Sequence, residues 1–455
     1  MEHTPTLKRS LTLKHVVLFG MSFMAPVTVF ATYGVAIEST HGMLPTAYLI
    51  ALLVMLFTAY SYGKLVREFP AAGSAYTFTQ KAISAYLGFL VGWAILVDYL
   101  FSPMISALLF GIFASSYFPG VPMYIWIVLF VVTITVVNIL GIKFAANFNT
   151  YLILFQLLFI VIFCAFSIKG LLAGKGLGVL FSSLPFYSPD VQLSSLLAVV
   201  PLLCFTFLGF DAVTTLSEET KNPKTTLPKA IYLVPLVGGV LYILATYFAQ
   251  MVYPDFQSFQ NPESAAMDII ISIGGNFLTT FFLAVTLTAS FASAVASGGS
   301  AARILYAMGR ENILPHKIFG YISPRFHTPV YNVLIIAGIA MTSVFLDIVT
   351  ATSLINFGAL FAFTFVNLSV ISHYFIRKKK RSAKEAVAYL VIPLAGAAIT
   401  VLFLAKLDIH SILLGGTWLI LGFIYLLYLT KMFTQRPPEL NLEAAEQADS
   451  PADAS

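Results

Sequence analysis

Two stretches decide the fold: VVLFGMSFMAPVTVFATYGVAI at residues 16–37 and SSLLAVVPLLCFTFLGFDAVTTL at residues 194–216. Each is apolar over about the 20 residues that a helix needs to cross a bilayer. Each is also interrupted near its centre. The first runs through Gly20, Met21, Ser22, Phe23, Met24, Ala25 and Pro26. The second passes Pro201 and then reads Phe205, Thr206, Phe207, Leu208, Gly209, Phe210, Asp211. Backbone in hydrocarbon must satisfy its own hydrogen bonds, so a broken helix survives there only where protein or water covers it. Breaks in corresponding spans of two inverted halves point to a binding site near the membrane midplane.

Outward from these two stretches, similar apolar runs occur at 45–66, 85–115, 122–141, 147–170, 230–252, 275–308, 330–349, 351–376, 387–405 and 411–432. The expected fold class is all-α integral membrane, with 12 transmembrane helices. Residues 1–15 form an N-terminal segment and residues 433–455 a disordered tail, with five acids after Arg436. The run 85–115 reads as one tilted or kinked helix around Pro103. Composition agrees: mean hydropathy is +0.89, apolar types make up 59% and charged types 10%, against about 25% charged in a soluble domain. Lipid must cover much of such a chain.

The basic residues give the orientation. Of 25 Lys and Arg, only Lys169, Lys175 and Lys406 fall in segments on one side of the twelve spans. The rest lie on the other side, densest at Arg377–Lys384, so the positive-inside rule puts both termini in the cytoplasm. Joining the spans at residue 350 would place that cluster outside. The dispersal of the basic residues among loops argues against a nucleic-acid partner. Cys164 and Cys204 sit in apolar runs as small hydrophobes, and the seven scattered histidines form no metal site. No cofactor is implied.

An ionisable group at membrane depth is costly and marks function by default. Asp98, in the third span, and Asp211, beside the second break, are the two candidates. Either also suits the capping of a broken helix. No Lys, Arg or His lies deep in any of these spans, which leaves a bound cation as a natural partner. Phe23, Phe205, Phe207 and Phe210 flank the breaks, where aromatic faces can hold cations or simply pack. Ser290, Ser293, Ser297 and Ser300 share one helix face. They suit either close helix packing or an ion or substrate site. With no deep base beside these serines, a membrane hydrolase is disfavoured; with no signalling domain, so is a sensor.

Several longer strings carry a family resemblance: SYGKLVREFPAAGSAYTFTQKAIS (61–84), VDYLFSPMI (97–105), ANFNT (146–150), FLGFDAVTTLSEET (207–220), LYAMGREN (305–312) and VTATSLINFGALFAFTFVNLSV (349–370). Over about residues 10–430 the chain resembles the amino acid–polyamine–organocation superfamily, and within it the bacterial putrescine importers. The resemblance implies a LeuT-like core over 16–376. Its inverted repeats would cover about 16–170 and 194–376, with two peripheral helices at 387–432. It implies a substrate site at Ser22, Phe23, Met24, Asp98, Phe205, Phe207, Gly209 and Asp211. There Asp211 would meet a substrate amine and Phe205 would serve as lid.

Residue 31 departs from the importers' pattern: Ala31 stands where they carry an aspartate, which leaves an amino acid permease or an amino acid/amine exchanger as the alternative. The expected activity is ion-coupled import of a polyamine across the cell membrane by alternating access. Asp98 and Asp211 are the proton-coupling candidates, and Ser293 and Ser297 the sodium candidates. The lysine that replaces sodium in some members has no counterpart; Gln156 lies mid-span instead.

Overall fold

In a computed structural model, residues 11–435 are described apart from 70–74, 141–145, 190, 218–219, 260, 311–312 and 327, together with Pro437. The expected disordered tail lies almost wholly outside the described residues. The described chain is helical, and its one bridge of β type joins Leu11 to Thr220. Among the described residues, eleven helices are long and apolar enough to span a membrane; the expected span at 330–349 is a shorter apolar helix, Val330–Phe345.

The helices follow the apolar runs closely. The first break separates α1 (Leu13–Met24) from α2 (Val29–Ser39), followed by α3 (Leu44–Glu68) and the short α4 (Ala75–Ala82). Next come α5 (Ala85–Tyr117), α6 (Met123–Leu140) and α7 (Ala146–Leu172). The second break follows α8 (Leu193–Cys204) and precedes α9 (Pro223–Val252). At 33 residues, α5 is roughly 50 Å long at 1.5 Å per residue, more than a perpendicular crossing needs. It is one helix with Pro103 inside, as its sequence suggests.

In α10 (Ala265–Arg310) the backbone leaves helical geometry at Gly275, with φ 55° and ψ −151°. That is where the apolar run of the eighth span begins, so residues before it form a separate helical lead-in. After α11 (His316–Phe319) and α12 (Val330–Met341), a tight turn at Thr342–Phe345 intervenes before α13 (Ile348–Val370). Asp347 caps α13 by accepting the Thr350 N–H at 2.7 Å, which is why the chain divides here rather than continuing as one long helix. A π-helical turn, Ile371–Arg377, leads to α14 (Ala383–Ala386), a second π turn at Val387–Val391, then α15 (Ile392–Leu404) and α16 (Ile409–Leu429).

The chain forms two compact units, each drawing helices from both halves of the sequence: residues 1–88, 149–285 and 360–407, and residues 89–148, 286–359 and 408–455. In the first unit, α3 packs along α9. Small residues set the spacing: a Cβ at Gly239 would lie 2.7 Å from Leu52, and one at Gly20 would lie 2.7 Å from Val213 and Val234. A buried polar tie joins α3 to α13, where Ser61 Oγ donates to Asn367 Oδ1 at 2.6 Å and Asn367 Nδ2 donates to the Phe363 carbonyl at 2.9 Å.

In the second unit, α16 is fastened to α5 by two tryptophans. Trp93 and Trp418 stack at 4.9 Å, and each indole N–H donates to the other's carbonyl, at 3.0 and 2.8 Å. Both indole donors are thereby satisfied in an apolar setting.

Candidate substrate site at the helix breaks

The first break is built by Ala25, whose φ of 45° is left-handed, followed by the tight turn Pro26–Thr28. Proline has no N–H to offer the helix and ends it there. The groups this frees are taken up locally. Thr28 Oγ1 donates to the Met24 carbonyl at 3.4 Å, and the Val27 N–H donates to Gln156 Oε1 on α7 at 3.4 Å. Gln156, noted in the sequence only as the residue that is not a lysine, thus anchors the break from inside the protein.

The second break comprises a turn at Phe205–Phe207, an extended Leu208, Gly209 at φ 99°, and a 3-10 segment over Phe210–Ser217. Its freed carbonyl at Thr206 accepts the Tyr242 hydroxyl at 2.6 Å. Long 3-10 stretches inside a helix are uncommon and often mark a hinge.

The two breaks meet. A Cβ built on Gly209 would lie 2.7 Å from Phe23 Cβ and 3.4 Å from the Met24 nitrogen, so only glycine allows this approach. Met24 is buried, and its methyl fills the space over Gly238. Phe23 is 49% exposed, and Ser22 and Phe205 are half-buried. Phe207 is wholly buried between Tyr48 and Tyr242, with ring centroids 6.4 and 5.3 Å away. It packs the break rather than lining open space.

Asp211 stands in the first turn of the 3-10 segment, where free N–H groups favour a carboxylate. Backbone groups of Gly209, Asp211 and Ala212 approach it, and Tyr62 of α3 donates its hydroxyl to Oδ2 at 3.2 Å. Tyr62 is held by edge-on rings of Phe78, Phe210 and Phe363 at 5.8–5.9 Å. Tyr62 lies six residues before the end of α3, roughly 9 Å along the helix. Asp211 therefore meets α3 about midway between the centre of that helix and its basic end, beside an aromatic cluster.

The remaining candidates belong to the second unit. Asp98 is half-buried on α5. Ser297 donates its hydroxyl to the Ser293 carbonyl at 2.7 Å, within its own helix, and Ser293 is exposed. Ala31, on α2 in the first unit, is buried beside Phe30, which packs edge-on against Phe159, Phe163 and Phe282.

Paired breaks with a carboxylate at one of them suit a transporter of a charged small molecule, and the sequence comparison decides the family. A family model described as amino acid permease matches residues 15–435. This chain belongs to the amino acid permease family. The chain is therefore a multi-span membrane protein of a transporter family. It is 41% identical over 434 residues to the low-affinity putrescine importer PlaP of Escherichia coli (strain K12), covering 95% of this chain and 96% of that one. More distant relatives are the branched-chain amino acid permease BcaP of Bacillus subtilis (strain 168), 24% identical over 94% of each chain, and the vacuolar cationic amino acid transporter 4 of Arabidopsis thaliana, 27% identical over 80% of this chain and 63% of that one.

Tyr62 is a residue of the candidate site that the sequence alone did not single out. Its signal was available: a tyrosine within an apolar span needs a hydrogen-bond partner for its hydroxyl. Replacing it tests its role. Tyr62→Phe keeps the ring contacts but removes the donor on Asp211. A hydrogen bond to a charged group contributes about 1.5–3 kcal/mol. If substrate competes with Tyr62 for the carboxylate, Tyr62→Phe is expected to lower the KM for a cationic substrate by roughly ten-fold or more. An unchanged KM would mean that Tyr62 and substrate do not share Asp211.

Proposed function

We propose that this chain imports a small organic diamine, putrescine or a close relative, through the cell membrane by alternating access coupled to an ion gradient. The observation that carries the reading is the Asp211 carboxylate at the break of the sixth span. It sits next to the point where the two breaks touch, and its hydroxyl partner can be exchanged for a substrate ammonium. The 41% identity to a putrescine importer over nearly the whole of both chains supports the same substrate class.

In this reading, Asp211 binds one ammonium and titrates during the cycle. Asp98 takes the second ammonium or the coupled proton. Ser22, Phe23, Met24, Phe205, Phe207 and Gly209 shape the broken backbone around the substrate. Proton coupling through carboxylates is favoured, with a sodium ion at Ser293 and Ser297 as the second choice. Both termini lie in the cytoplasm, and the core is a pair of inverted five-helix repeats with two peripheral helices.

One residue favours a second reading. With Ala31 in place of a carboxylate, a diamine has one fewer partner, and an amino acid, with a single ammonium, loses nothing. An amino acid permease or exchanger is that alternative. Gradients imposed across proteoliposomes separate the coupling ions. Uptake of labelled putrescine is expected to follow an inward proton gradient in sodium-free buffer; uptake that requires sodium would move the coupling role to the serines.

A further inference from the structure

We infer that the basic end of the first unit holds a site for the phosphate headgroup of an anionic phospholipid, built from Lys64, Lys380 and the tyrosine pair Tyr374–Tyr389. The two rings stack at 4.6 Å with an interplanar angle of 13°. Lys64 Nζ lies 5.3 Å from the centre of the Tyr389 ring and 5.0 Å from that of Tyr60. Lys380 Nζ lies 5.5 Å from the Tyr389 centre and 5.6 Å from the Tyr374 centre. Two ammonium groups are thus held against the same ring. The left-handed turn at Lys379, with φ 52°, and the Lys380 N–H bonded to the Tyr374 carbonyl at 3.1 Å fix the second of them there.

Lys64 has only like charges acting on it, and Lys380 is compensated only in part, by the field of Glu385. The charged groups acting on Lys64 are Arg67 and Lys380, both of the same sign. The acids nearby have closer partners of their own, although Glu68 also accepts from the Tyr374 hydroxyl at 3.4 Å. Glu68 accepts Lys378 Nζ at 2.5 Å and has His373 Nε2 at 3.4 Å. Glu385 accepts from the Ser382 N–H and hydroxyl at 3.2 and 2.7 Å. Aromatic faces attract cations by roughly a kcal/mol each, too little to offset crowding by like charge. An anion is the missing partner.

Position selects a lipid over a soluble phosphate. Lys64 lies four residues before the end of a candidate span and Lys380 three residues after the end of another, the depth of headgroups. On the same stretch as Tyr389, Val387, Val391 and Leu394 are each more than half exposed, an apolar surface for acyl chains. Basic pockets between spanning helices at such a face suit anionic headgroups.

The test uses the full-length purified protein in mixed micelles holding equal amounts of dioleoyl phosphatidylglycerol and dioleoyl phosphatidylcholine, with retained lipid read by native mass spectrometry. Wild-type protein is expected to retain phosphatidylglycerol preferentially. Each lysine near a headgroup is worth about five-fold, so Lys64→Gln with Lys380→Gln should cut that preference by roughly 30-fold. Lys379→Gln, on the exposed apex of the turn, should leave it unchanged. Putrescine uptake by each variant reports that the protein is folded. Equal retention by the wild type and a folded double variant overturns the proposal, as does full displacement of phosphatidylglycerol by inorganic phosphate, which would make a soluble anion the ligand.

Discussion

Asp211→Asn is expected to abolish saturable uptake of labelled putrescine in proteoliposomes while leaving the protein folded. The asparagine side chain has the same shape and keeps an oxygen that can accept the Tyr62 hydroxyl, which lies 3.2 Å from Oδ2 in the wild type. What it loses is charge. Removing one partner of a desolvated charge pair typically costs about 2–5 kcal/mol, or roughly 30- to several-thousand-fold in kcat/KM. A purely structural role makes a different set of results. If the carboxylate only caps the 3-10 segment, the loss should appear in the thermal midpoint, and the substrate KM should stay where it was.

Gly209→Ala is expected to be as damaging, by a different route. At φ 99° the residue occupies backbone space that side chains rarely enter; even the milder left-handed helical region costs an L-residue about 1–2 kcal/mol. The added methyl would also fall 2.7 Å from Phe23 Cβ and 3.1 Å from the Phe23 carbonyl carbon, overpacking of a kind that costs about 1–3 kcal/mol. Together these oppose the described arrangement by roughly 2–5 kcal/mol. Any cycle that passes through touching breaks should slow by at least ten-fold. Gly338→Ala is the matched control, because a Cβ there meets nothing within 4 Å; it should be neutral or mildly stabilising. Normal transport and an unaltered thermal midpoint for Gly209→Ala would show that contact between the breaks is dispensable.

Much of this architecture was legible because the bilayer imposes simple rules. Lengths of apolar run located most of the spans, while the divide near residue 350, where Asp347 supplies the cap, was read from the side on which the Arg377–Lys384 cluster must fall. Both breaks could be read from proline and glycine inside apolar sequence, although such residues do not always break a helix: Pro103 stands inside an unbroken α5. What periodicity and composition do not carry is the direction of a side chain. Phe205 and Phe207 are two residues apart in one turn, and only the fold distinguishes the half-buried ring from the one sealed between Tyr48 and Tyr242. The partners of Gln156 and Tyr62 were hidden for a related reason. Each is a polar group visible in an apolar span, but it acts across a long sequence separation on a backbone or carboxylate group. Gly275 divides the long α10 without proline, so the helical lead-in before it passes for loop in a reading based on apolar runs.

The site also explains why the substrate is the open variable in this family. In the proposed reading, the carboxylate at the sixth-span break selects for an ammonium, which diamines and amino acids share. Discrimination between them falls to what meets the rest of the molecule, and Ala31 contributes no charge there. Competition at a fixed concentration of labelled putrescine, in proteoliposomes bearing an inward proton gradient, is therefore the most direct measurement. Saturable uptake suppressed by unlabelled putrescine and by diamines of neighbouring length, but not by branched-chain or basic amino acids at the same excess, is the expected outcome. Uptake suppressed by amino acids and indifferent to diamines would contradict import of a diamine and make the chain an amino acid permease.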